Sequence, residues 1–258
     1  MGLVSIFAAQ KGFQILGIWN PWNLESLEFE ILGIWNHLNF ISKMIKIKDP
    51  SVFRLCFAFV TLFFGVGCAQ KPLVSAPKGW VELTKSDASI RLDIRYATAN
   101  NFMKQQVYSC GRCFLRAEAA EAILKAHKAL QKKGYGGLKM YDGYRPRPVQ
   151  YKLWKIMPDA RYVANPKKGS MHNRGFAVDL TIVDKDGKEL DFGTGYDDFT
   201  EKAHGNYTKF SKEILANRKL LNETMEAVGL EGTSTEWWHF SLRGKKGDLA
   251  EWVWTCEK

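Results

Sequence analysis

The hydrophobic and polar positions of residues 117–133 repeat with a helical period. Apolar side chains recur there at steps of three or four residues and form one stripe, which consists of Ala119, Ile123, Ala126 and Leu130. Because residues at this spacing share one face of a helix, the pattern predicts an amphipathic helix that ends at Gly134. His127 is expected on the flank of this helix, beside the apolar stripe.

Shorter patterns predict the remaining elements. Strands are predicted at residues 138–141 and in the β-branched run 177–183. Helices are predicted at residues 148–154 and, in one or two pieces, at residues 209–229. The chain from position 68 onward has about 190 residues, which is within the usual size of one domain. Since helices and strands are mixed along it, we expect an α+β fold with helices packed on a central antiparallel sheet.

The region before this domain has a different pattern. Residues 44–54 are basic and residues 55–66 are apolar, which is typical of a signal peptide and too short to span a bilayer comfortably. We therefore expect a signal peptide over residues 44–69 and an exported protein, in the periplasm or cell envelope. Cys68 stands in a lipoprotein-like cleavage box, and we favour lipid attachment there over release of a soluble protein at Gln70.

Residues 1–43 lie ahead of this predicted signal. The hexapeptide Ile-Leu-Gly-Ile-Trp-Asn occurs at residues 15–20 and again at residues 31–36. Two short copies are too few for a repeat architecture, which needs about three units. We expect translation of the native protein to start at Met44, so that residues 1–43 are an extension foreign to it. Sequencing the N-terminus of the unprocessed protein tests this expectation.

The chain is basic, with a formal net charge of +10. A basic surface can bind nucleic acid or an anionic envelope. The lysines and arginines are scattered, however, and their closest groups are pairs such as Lys132-Lys133 and Lys167-Lys168. A solvated surface explains this distribution, and the predicted export also argues against a nucleic acid partner.

Three of the five cysteines follow the predicted signal peptide, at Cys110, Cys113 and Cys256. Cys110-Gly-Arg-Cys113 has the spacing of a redox pair, of half a zinc knuckle or of a disulfide. No second Cys pair completes a structural zinc site, and no βαβ pattern indicates a thioredoxin fold. A disulfide is favoured in an exported protein, with Cys256 as a further candidate, and the pairing stays open.

Two short segments combine histidine with carboxylates. Ser170-Met-His172-Asn-Arg-Gly-Phe-Ala-Val-Asp179 is followed some sixty residues later by Glu236-Trp-Trp-His239. Two imidazoles and one carboxylate can bind a divalent ion with one position open, which is how catalytic zinc activates water. A lone histidine is more often structural than a ligand, but the chain beyond position 70 has only four, and two lie in these segments. The pattern therefore favours a metal-dependent hydrolase.

The spacing within these segments predicts local bends. His172 and Asp179 are seven residues apart, and an odd separation places side chains on opposite faces of a regular strand. Residues 173–175 are predicted to bend the chain because Asn173 and Gly175 tolerate positive φ, with His172 at the loop mouth and Asp179 on the strand behind it. Glu236 and His239 share a face only in a helix, although their segment favours a strand. A bulge or tight turn is expected there.

The order Ser-x-His-x-x-Gly-x-Ala-x-Asp and Glu-x-Trp-His resembles the zinc D,D-peptidases, the clan that also holds the hedgehog signalling domain. Three further segments are similar to the D-alanyl-D-alanine dipeptidases of the VanX type, namely Arg95-Tyr96-Ala-Thr-Ala-Asn-Asn-Phe102, Tyr141-Asp-Gly-Tyr-Arg145-Pro and Gly193-Thr-Gly-Tyr-Asp197-Asp-Phe. Five motifs occur in the same order, from about residue 80 to about residue 245. The resemblance implies a hedgehog/D,D-peptidase-like fold and a zinc D,D-dipeptidase catalytic domain over residues 70–258.

The resemblance also implies a site with one zinc ion per chain. The family's zinc ligands match His172, Asp179 and His239, its catalytic base matches Glu236, and Arg145 matches the arginine that contacts the substrate near the scissile carbonyl. The residue types suit these roles, because zinc lowers the pKa of its bound water to about 7 and a neighbouring Glu can take the proton. A guanidinium is charged at every accessible pH and suits the oxyanion of a tetrahedral intermediate.

Further residues match positions that contact the bound dipeptide. Ser170 and Tyr96 line the site in the family, and Asp197 matches the carboxylate that receives the free amino group. A buried carboxylate pairs with an ammonium only where the peptide ends, so Asp197 favours a dipeptide over longer chains. Without the resemblance, Asp197 or Asp198 is read as the cap of a helix near residue 199, and Asp198 keeps that role. Arg147, the competitor of the catalytic arginine, is interpreted as a solvated surface charge.

The expected function is zinc-dependent hydrolysis of the D-alanyl-D-alanine dipeptide in the cell envelope. An alternative with the same zinc site is a D,D-carboxypeptidase that trims peptidoglycan stem peptides. A hedgehog-like binding module without catalysis is disfavoured because Glu236 and Arg145 are both present. Turnover of a dipeptide compared with a pentapeptide separates the two enzymes.

Overall fold

The computed structural model describes residues 75–256. The predicted extension over residues 1–43, the predicted signal peptide over residues 44–69 and its Cys68 lie outside the described residues and stay predictions. Within residues 75–256, every helix is too short or too polar to cross a lipid bilayer.

The described part of the chain mixes helices and strands. Its strands are β1 (Trp80–Glu82), β2 (Arg91–Leu92), β3 (Phe114–Arg116), β4 (Gly137–Asp142), β5 (Ala177–Val183), β6 (Leu230–Gly232) and β7 (His239–Leu242). Its α-helices are α1 (Leu83–Ser86), α2 (Ala117–Lys132), α3 (Arg147–Ile156), α4 (Met171–Arg174) and α5 (Lys212–Glu226), and single 3-10 turns occupy Arg95–Ala97 and Glu201–Ala203. Both predicted strands and the predicted helices are confirmed, and the segment 209–229 contains one helix.

The central sheet has five strands in the order β2-β4-β5-β7-β6. The pairs β4–β5, β5–β7 and β6–β7 are antiparallel. At the edge, β2 pairs parallel with β4, which is the one departure from the expected antiparallel sheet. Strands β1 and β3 form a separate antiparallel pair. The predicted α+β class is confirmed.

Strand β5 lies at the centre of the sheet and is buried along its whole length. Its sequence Ala-Val-Asp-Leu-Thr-Ile-Val is almost continuously apolar, as expected for a strand that is covered on both faces. Asp179 is the one charged residue of this strand, and a buried carboxylate requires charged or hydrogen-bonded partners.

The amphipathic helix α2 buries the predicted stripe completely, with Ala119, Ile123, Ala126 and Leu130 all at 0 % exposure. The expected place of His127 on the helix flank was wrong, because this side chain is also fully buried. Its Nδ1 accepts a hydrogen bond from the backbone N–H of Leu138 at 2.9 Å, and its Nε2 lies 2.9 Å from Ser89 Oγ. Burial lowers the pKa of His127, so the ring is a neutral structural link between α2 and β4.

The C-terminal segment is attached to the domain by a disulfide between Cys110 and Cys256. The sequence left the pairing of Cys110, Cys113 and Cys256 open, and the structure contains the pair Cys110–Cys256. Cys113 is a buried free thiol. Trp254 packs on Tyr108, with ring centroids 4.9 Å apart, and donates a hydrogen bond to the carbonyl of Cys110. These contacts hold the chain end against the loop that follows the Arg95–Ala97 turn.

Candidate active site

His172, Asp179 and His239 come together in the structure, although 67 positions separate the two histidines. His172 Nε2 lies 3.1 Å from His239 Nδ1 and 3.3 Å from Asp179 Oδ1, and His239 Nδ1 lies 2.9 Å from Asp179 Oδ1. Among the described residues, this is the group of side chains whose ligand atoms are close enough to hold a metal ion.

The local fold of the first segment presents His172 to this group. Ser170 caps the single-turn helix α4 through a capping box with Asn173, and Gly175 ends the turn with a φ of 77°. The predicted bend is therefore present, but it is a helical turn, and His172 is only 3 % exposed and does not lie at a loop mouth. Asp179 follows on β5, as predicted.

The sheet register presents the other two side chains. Asp179 on β5 pairs directly with His239 on β7, and residues opposite each other on antiparallel strands point to the same face. A tight turn precedes β7, in which the N–H of His239 donates to the carbonyl of Glu236 at 3.4 Å. The expected turn between Glu236 and His239 is confirmed.

Neighbouring groups orient the metal-facing atoms. His172 Nδ1 lies 2.7 Å from the carbonyl oxygen of Gly143, and because a carbonyl only accepts, Nδ1 carries the proton and Nε2 presents its lone pair. Burial alone would raise the pKa of Asp179, but the imidazoles of His172 and His239 outweigh burial and hold that pKa well below its ordinary range. Asp179 is thus an anion next to two imidazoles.

The donor set fits a zinc ion. The three ligand atoms are 2.9–3.3 Å apart. Ligands that lie about 2.0–2.1 Å from tetrahedral zinc are about 3.3 Å from one another, so little rearrangement is needed. Two nitrogens and one carboxylate oxygen also match the ligands of catalytic zinc sites, and three protein ligands leave a fourth position open.

Glu236 lies in the wall of the same cavity. Burial raises its pKa to about 8, while the nearby His239 opposes this rise. A bound divalent cation would bring that raised pKa down towards neutrality, because an adjacent positive charge favours the carboxylate. A carboxylate with a pKa near the working pH is suited to accept and return a proton.

Arg145 is buried between acidic and aromatic groups. Its guanidinium contacts Asp142 Oδ2 through Nε at 2.9 Å and through Nη2 at 2.8 Å, and Nη1 donates to Gln150 at 3.1 Å. It also lies 3.6 Å from Asp179 Oδ2 and 5.1 Å from the ring centroid of Tyr96. The sequence interpretation missed Asp142 and Gln150, although Asp142 stands inside the recognised segment 141–146.

Asp197 also contacts Tyr96. The hydroxyl of Tyr96 donates to Asp197 Oδ1 at 3.4 Å, and the N–H of Phe102 donates to Asp197 Oδ2 at 3.2 Å. Burial raises the pKa of Asp197 to about 7. Its backbone has a φ of 61°, in the left-handed region that non-glycine residues seldom adopt. A strained, partly buried carboxylate without a cationic partner at hydrogen-bond distance is a suitable receptor for an ammonium group.

The remaining predicted residues have simpler positions. Ser170 lies in the cavity wall, and its hydroxyl also exchanges hydrogen bonds with Asn173. Arg147 pairs with Glu251 at 2.6 Å on the surface, in agreement with its interpretation as a surface charge.

Asp198 was expected to cap a helix, but its carboxylate accepts a hydrogen bond from the N–H of Thr200 at 2.8 Å, within a turn. That expectation was wrong because only a 3-10 turn without a side-chain cap follows.

A single cavity of about 370 Å³ brings these side chains together. Its wall contains all eight residues that the sequence singled out, which are Tyr96, Arg145, Ser170, His172, Asp179, Asp197, Glu236 and His239. It also contains Tyr196, which the sequence interpretation did not single out and which lies inside the recognised segment 193–199. The arrangement combines a metal-binding group, the partly buried acid Glu236, a guanidinium and a second carboxylate.

Comparisons with known proteins agree with this chemistry. Residues 77–253 match the Peptidase_M15 family, described as D-Ala-D-Ala dipeptidase. The D-alanyl-D-alanine dipeptidase of Escherichia coli (strain K12) is 38 % identical over 162 residues, which cover 63 % of this chain and 83 % of the relative. The enzyme of the same name from Enterococcus faecium is 33 % identical over 186 residues, which cover 64 % and 92 %.

Two solved structures are similar to this chain at lower sequence identity. The vancomycin resistance D,D-pentapeptidase VanY in complex with Zn(II) is 17 % identical, with a TM-score of 0.32 over 51 % of this chain and 74 % of that one. The LdcB LD-carboxypeptidase is 21 % identical, with a TM-score of 0.38 over 67 % and 71 %. The family match extends over most of the described residues, and the relatives are matched over most of their length. This chain therefore belongs to the Peptidase_M15 family of D-Ala-D-Ala dipeptidases, and it is a peptidase.

Proposed function

We propose that this protein is a zinc-dependent dipeptidase that hydrolyses D-alanyl-D-alanine to two molecules of D-alanine. The observation that carries the proposal is the shared cavity, in which a group of two histidines and one aspartate lies with Glu236, Arg145 and Asp197. Membership of the dipeptidase family supports the substrate class.

His172, Asp179 and His239 would hold one zinc ion. When bound there, zinc would act as a Lewis acid, whose chemistry is to lower the pKa of water to about 7. Glu236 would act as the general base that takes the proton of the attacking water, and would then deliver it to the leaving amine. Its raised pKa, to about 8, supports this role because the protonated carboxyl is a competent acid near neutral pH.

Arg145 would stabilise the negative charge that develops on the scissile carbonyl oxygen. The side chain is held on two sides, by Asp142 and by Gln150, so its position is set before the substrate arrives. Such preorganised donors contribute a factor of about 100 to 1,000 in rate each. Arg145 also lies close to the metal-binding group, 3.6 Å from Asp179, where that oxyanion would form.

Asp197 would receive the free amino group of the dipeptide, with Tyr96 and Ser170 completing the substrate pocket. The ammonium would stabilise the charged form of Asp197, whose pKa burial raises to about 7. A longer peptide places a neutral amide at this point and leaves the partly buried carboxylate without a cation, which is unfavourable. This reasoning favours the dipeptidase over the carboxypeptidase.

Loss of the general base tests the mechanism. We expect Glu236→Ala to lower turnover of D-Ala-D-Ala by at least about 100-fold, since a general base contributes a factor of about 100 to 10,000. Bound zinc, measured by elemental analysis, should stay at one ion per chain. The control is Glu231→Gln, because this acid on β6 is exposed and pairs with the surface residue Arg243. Loss of zinc from the Glu236 variant would contradict its role as base and make it a ligand.

Substrate length tests the choice between the two enzymes. We expect rapid hydrolysis of free D-Ala-D-Ala and little release of D-alanine from a peptidoglycan pentapeptide, measured by a D-alanine assay. Asp197→Asn should raise KM for the dipeptide and reduce the preference for the dipeptide over the pentapeptide. The neighbouring Asp198→Asn should leave this KM and this preference unchanged. Equal turnover of dipeptide and pentapeptide by the unmodified protein would favour the carboxypeptidase.

Export to the cell envelope, with lipid attachment at Cys68, is proposed from the basic and apolar pattern of residues 44–66. Metabolic labelling with a radioactive fatty acid tests this, and Cys68→Ser should remove the label. A soluble protein in the periplasmic fraction, without label, would instead indicate cleavage that leaves Gln70 as the first residue.

A further inference from the structure

We propose that Tyr196 is a positioning residue that limits Asp179 to one metal-facing oxygen and thereby sets the affinity of the site for its metal ion. The inference rests on the proposed zinc site and adds to it a residue that the chemistry of hydrolysis does not require. It comes from the different environments of the two oxygens of Asp179.

The two carboxylate oxygens of Asp179 have separate partners. Oδ1 faces the metal-binding group, at 2.9 Å from His239 Nδ1 and 3.3 Å from His172 Nε2. Oδ2 instead accepts a hydrogen bond from the hydroxyl of Tyr196 at 3.0 Å and lies 3.6 Å from Arg145 Nη2. Because a carboxylate only accepts hydrogen bonds, the phenol is the donor in this contact.

The ring of Tyr196 is fixed by its neighbours. Its centroid lies 4.8 Å from that of Tyr141, 5.4 Å from that of Trp238 and 6.2 Å from that of Tyr96. These three aromatic contacts pack the ring, and its hydroxyl lies 3.0 Å from Asp179 Oδ2. The hydroxyl therefore has a defined place before any metal ion binds.

The backbone next to Tyr196 explains how two consecutive residues both reach the cavity. In an extended chain, neighbouring side chains point in opposite directions. Asp197 has a φ of 61°, and both Tyr196 and Asp197 lie in the cavity wall. The left-handed residue thus places the partner of a metal ligand directly beside the receptor for the substrate amino group.

The consequence for metal binding follows from the hydrogen bond. A donor on Oδ2 keeps Asp179 from rotating and keeps Oδ2 from becoming a second ligand, so that the ion has three protein donors and an open position. Loss of an outer hydrogen bond of this kind lowers metal affinity by about 10-fold to 100-fold.

The test compares Tyr196→Phe with Tyr141→Phe. The first removes the hydroxyl on Asp179 and keeps the ring that packs in the aromatic group. The second removes a hydroxyl from the adjacent ring, where it faces Glu189 and not the metal-binding group. Zinc affinity is measured by competition with a chromophoric chelator, the visible spectrum of the Co(II) protein reports ligand geometry, and circular dichroism of the metal-free proteins reports folding.

We expect Tyr196→Phe to bind zinc about 10-fold to 100-fold more weakly and to change the Co(II) spectrum, while Tyr141→Phe matches the unmodified protein. Saturating zinc should restore kcat in Tyr196→Phe, because the hydroxyl acts on metal binding. Equal zinc affinity of Tyr196→Phe and the unmodified protein overturns the inference, as does an equal loss in both variants. Absence of zinc binding by the unmodified protein refutes the proposed function itself, which is a distinct outcome.

Discussion

Replacement of Asp142 by Asn tests how the buried guanidinium of Arg145 is held in the cavity. The side chain of Arg145 is 8 % exposed and that of Asp142 is 1 % exposed, so water screens this pair little. Asp142 also accepts hydrogen bonds from the hydroxyl of Tyr108 at 2.8 Å and from the N–H of Gly143 at 2.9 Å. Asn keeps the volume of the side chain, so the substitution removes the charge without creating a void.

The expected loss is large because one charge remains buried. Breaking a buried ion pair by removing one partner costs about 3–5 kcal/mol. Asp179 lies 3.6 Å from the same guanidinium and offers partial compensation, so we expect the lower end, about 3 kcal/mol. In a domain of this size each kcal/mol lowers Tm by about 2–4 °C, which gives a decrease of about 6–12 °C.

The assay is urea unfolding of the metal-free protein, which excludes a contribution from metal binding. The matched control is Glu251→Gln, because Glu251 pairs with Arg147 at the surface, where the two side chains are 46 % and 26 % exposed. An exposed pair contributes about 0–1 kcal/mol, so this control should change the free energy of unfolding little. A loss for Asp142→Asn that is no larger than that of the control would refute the reasoning.

Three further predictions follow from single contacts. Reducing the Cys110–Cys256 disulfide, which has a sequence separation of 146, should lower the free energy of unfolding by about 2–5 kcal/mol, and an unchanged urea midpoint with reductant would contradict this. Because burial raises the pKa of Asp197 from its ordinary value to about 7, its contribution to stability is complete below about pH 4 and is lost as the pH rises through 7. Asp197→Asn should therefore stabilise the metal-free protein relative to the parent above pH 7 and not below pH 4, and parallel stability curves would argue against it. Gly175→Ala should destabilise by about 1–3 kcal/mol in thermal unfolding, because Gly175 has a φ of 77° and an added Cβ would meet the ring of Trp80, whereas an unchanged Tm would show that the turn can relax.

Much of the fold follows from local patterns. The stripe on α2 and the almost continuous apolar run of β5 are strong signals, since each has the period or the length of its element. The parallel pairing of β2 with β4 has no comparable signal, because a two-residue strand has no measurable period. The burial of His127 also escaped prediction, since its partner Leu138 lies on another element and only the packing of α2 on β4 brings them together.

In the candidate site, too, some features could be predicted from the sequence and others could not. The segments 170–179 and 236–239 indicate metal-binding chemistry because donor types and spacing are properties of the chain itself. The sequence left Asp142, Gln150 and Tyr196 without roles. Asp142 and Gln150 are close to Arg145 in the chain, but they lie on strand β4 and helix α3, and only the fold shows that the three side chains meet. Tyr196 contacts Asp179 from a separate segment.

The sequence by itself determined the family, the α+β class and the residue types from which a metal-dependent peptidase can be built. Tertiary structure decided how these residues meet. The pairing of Asp179 with His239 depends on the register of β5 and β7, and the position of His172 depends on the turn that Gly175 ends. The choice of Cys256 as partner of Cys110 depends on the path of the C-terminal segment over the domain. Distances between side chains on different elements result from packing of the whole chain, whereas donor types and periods can be read from the sequence alone.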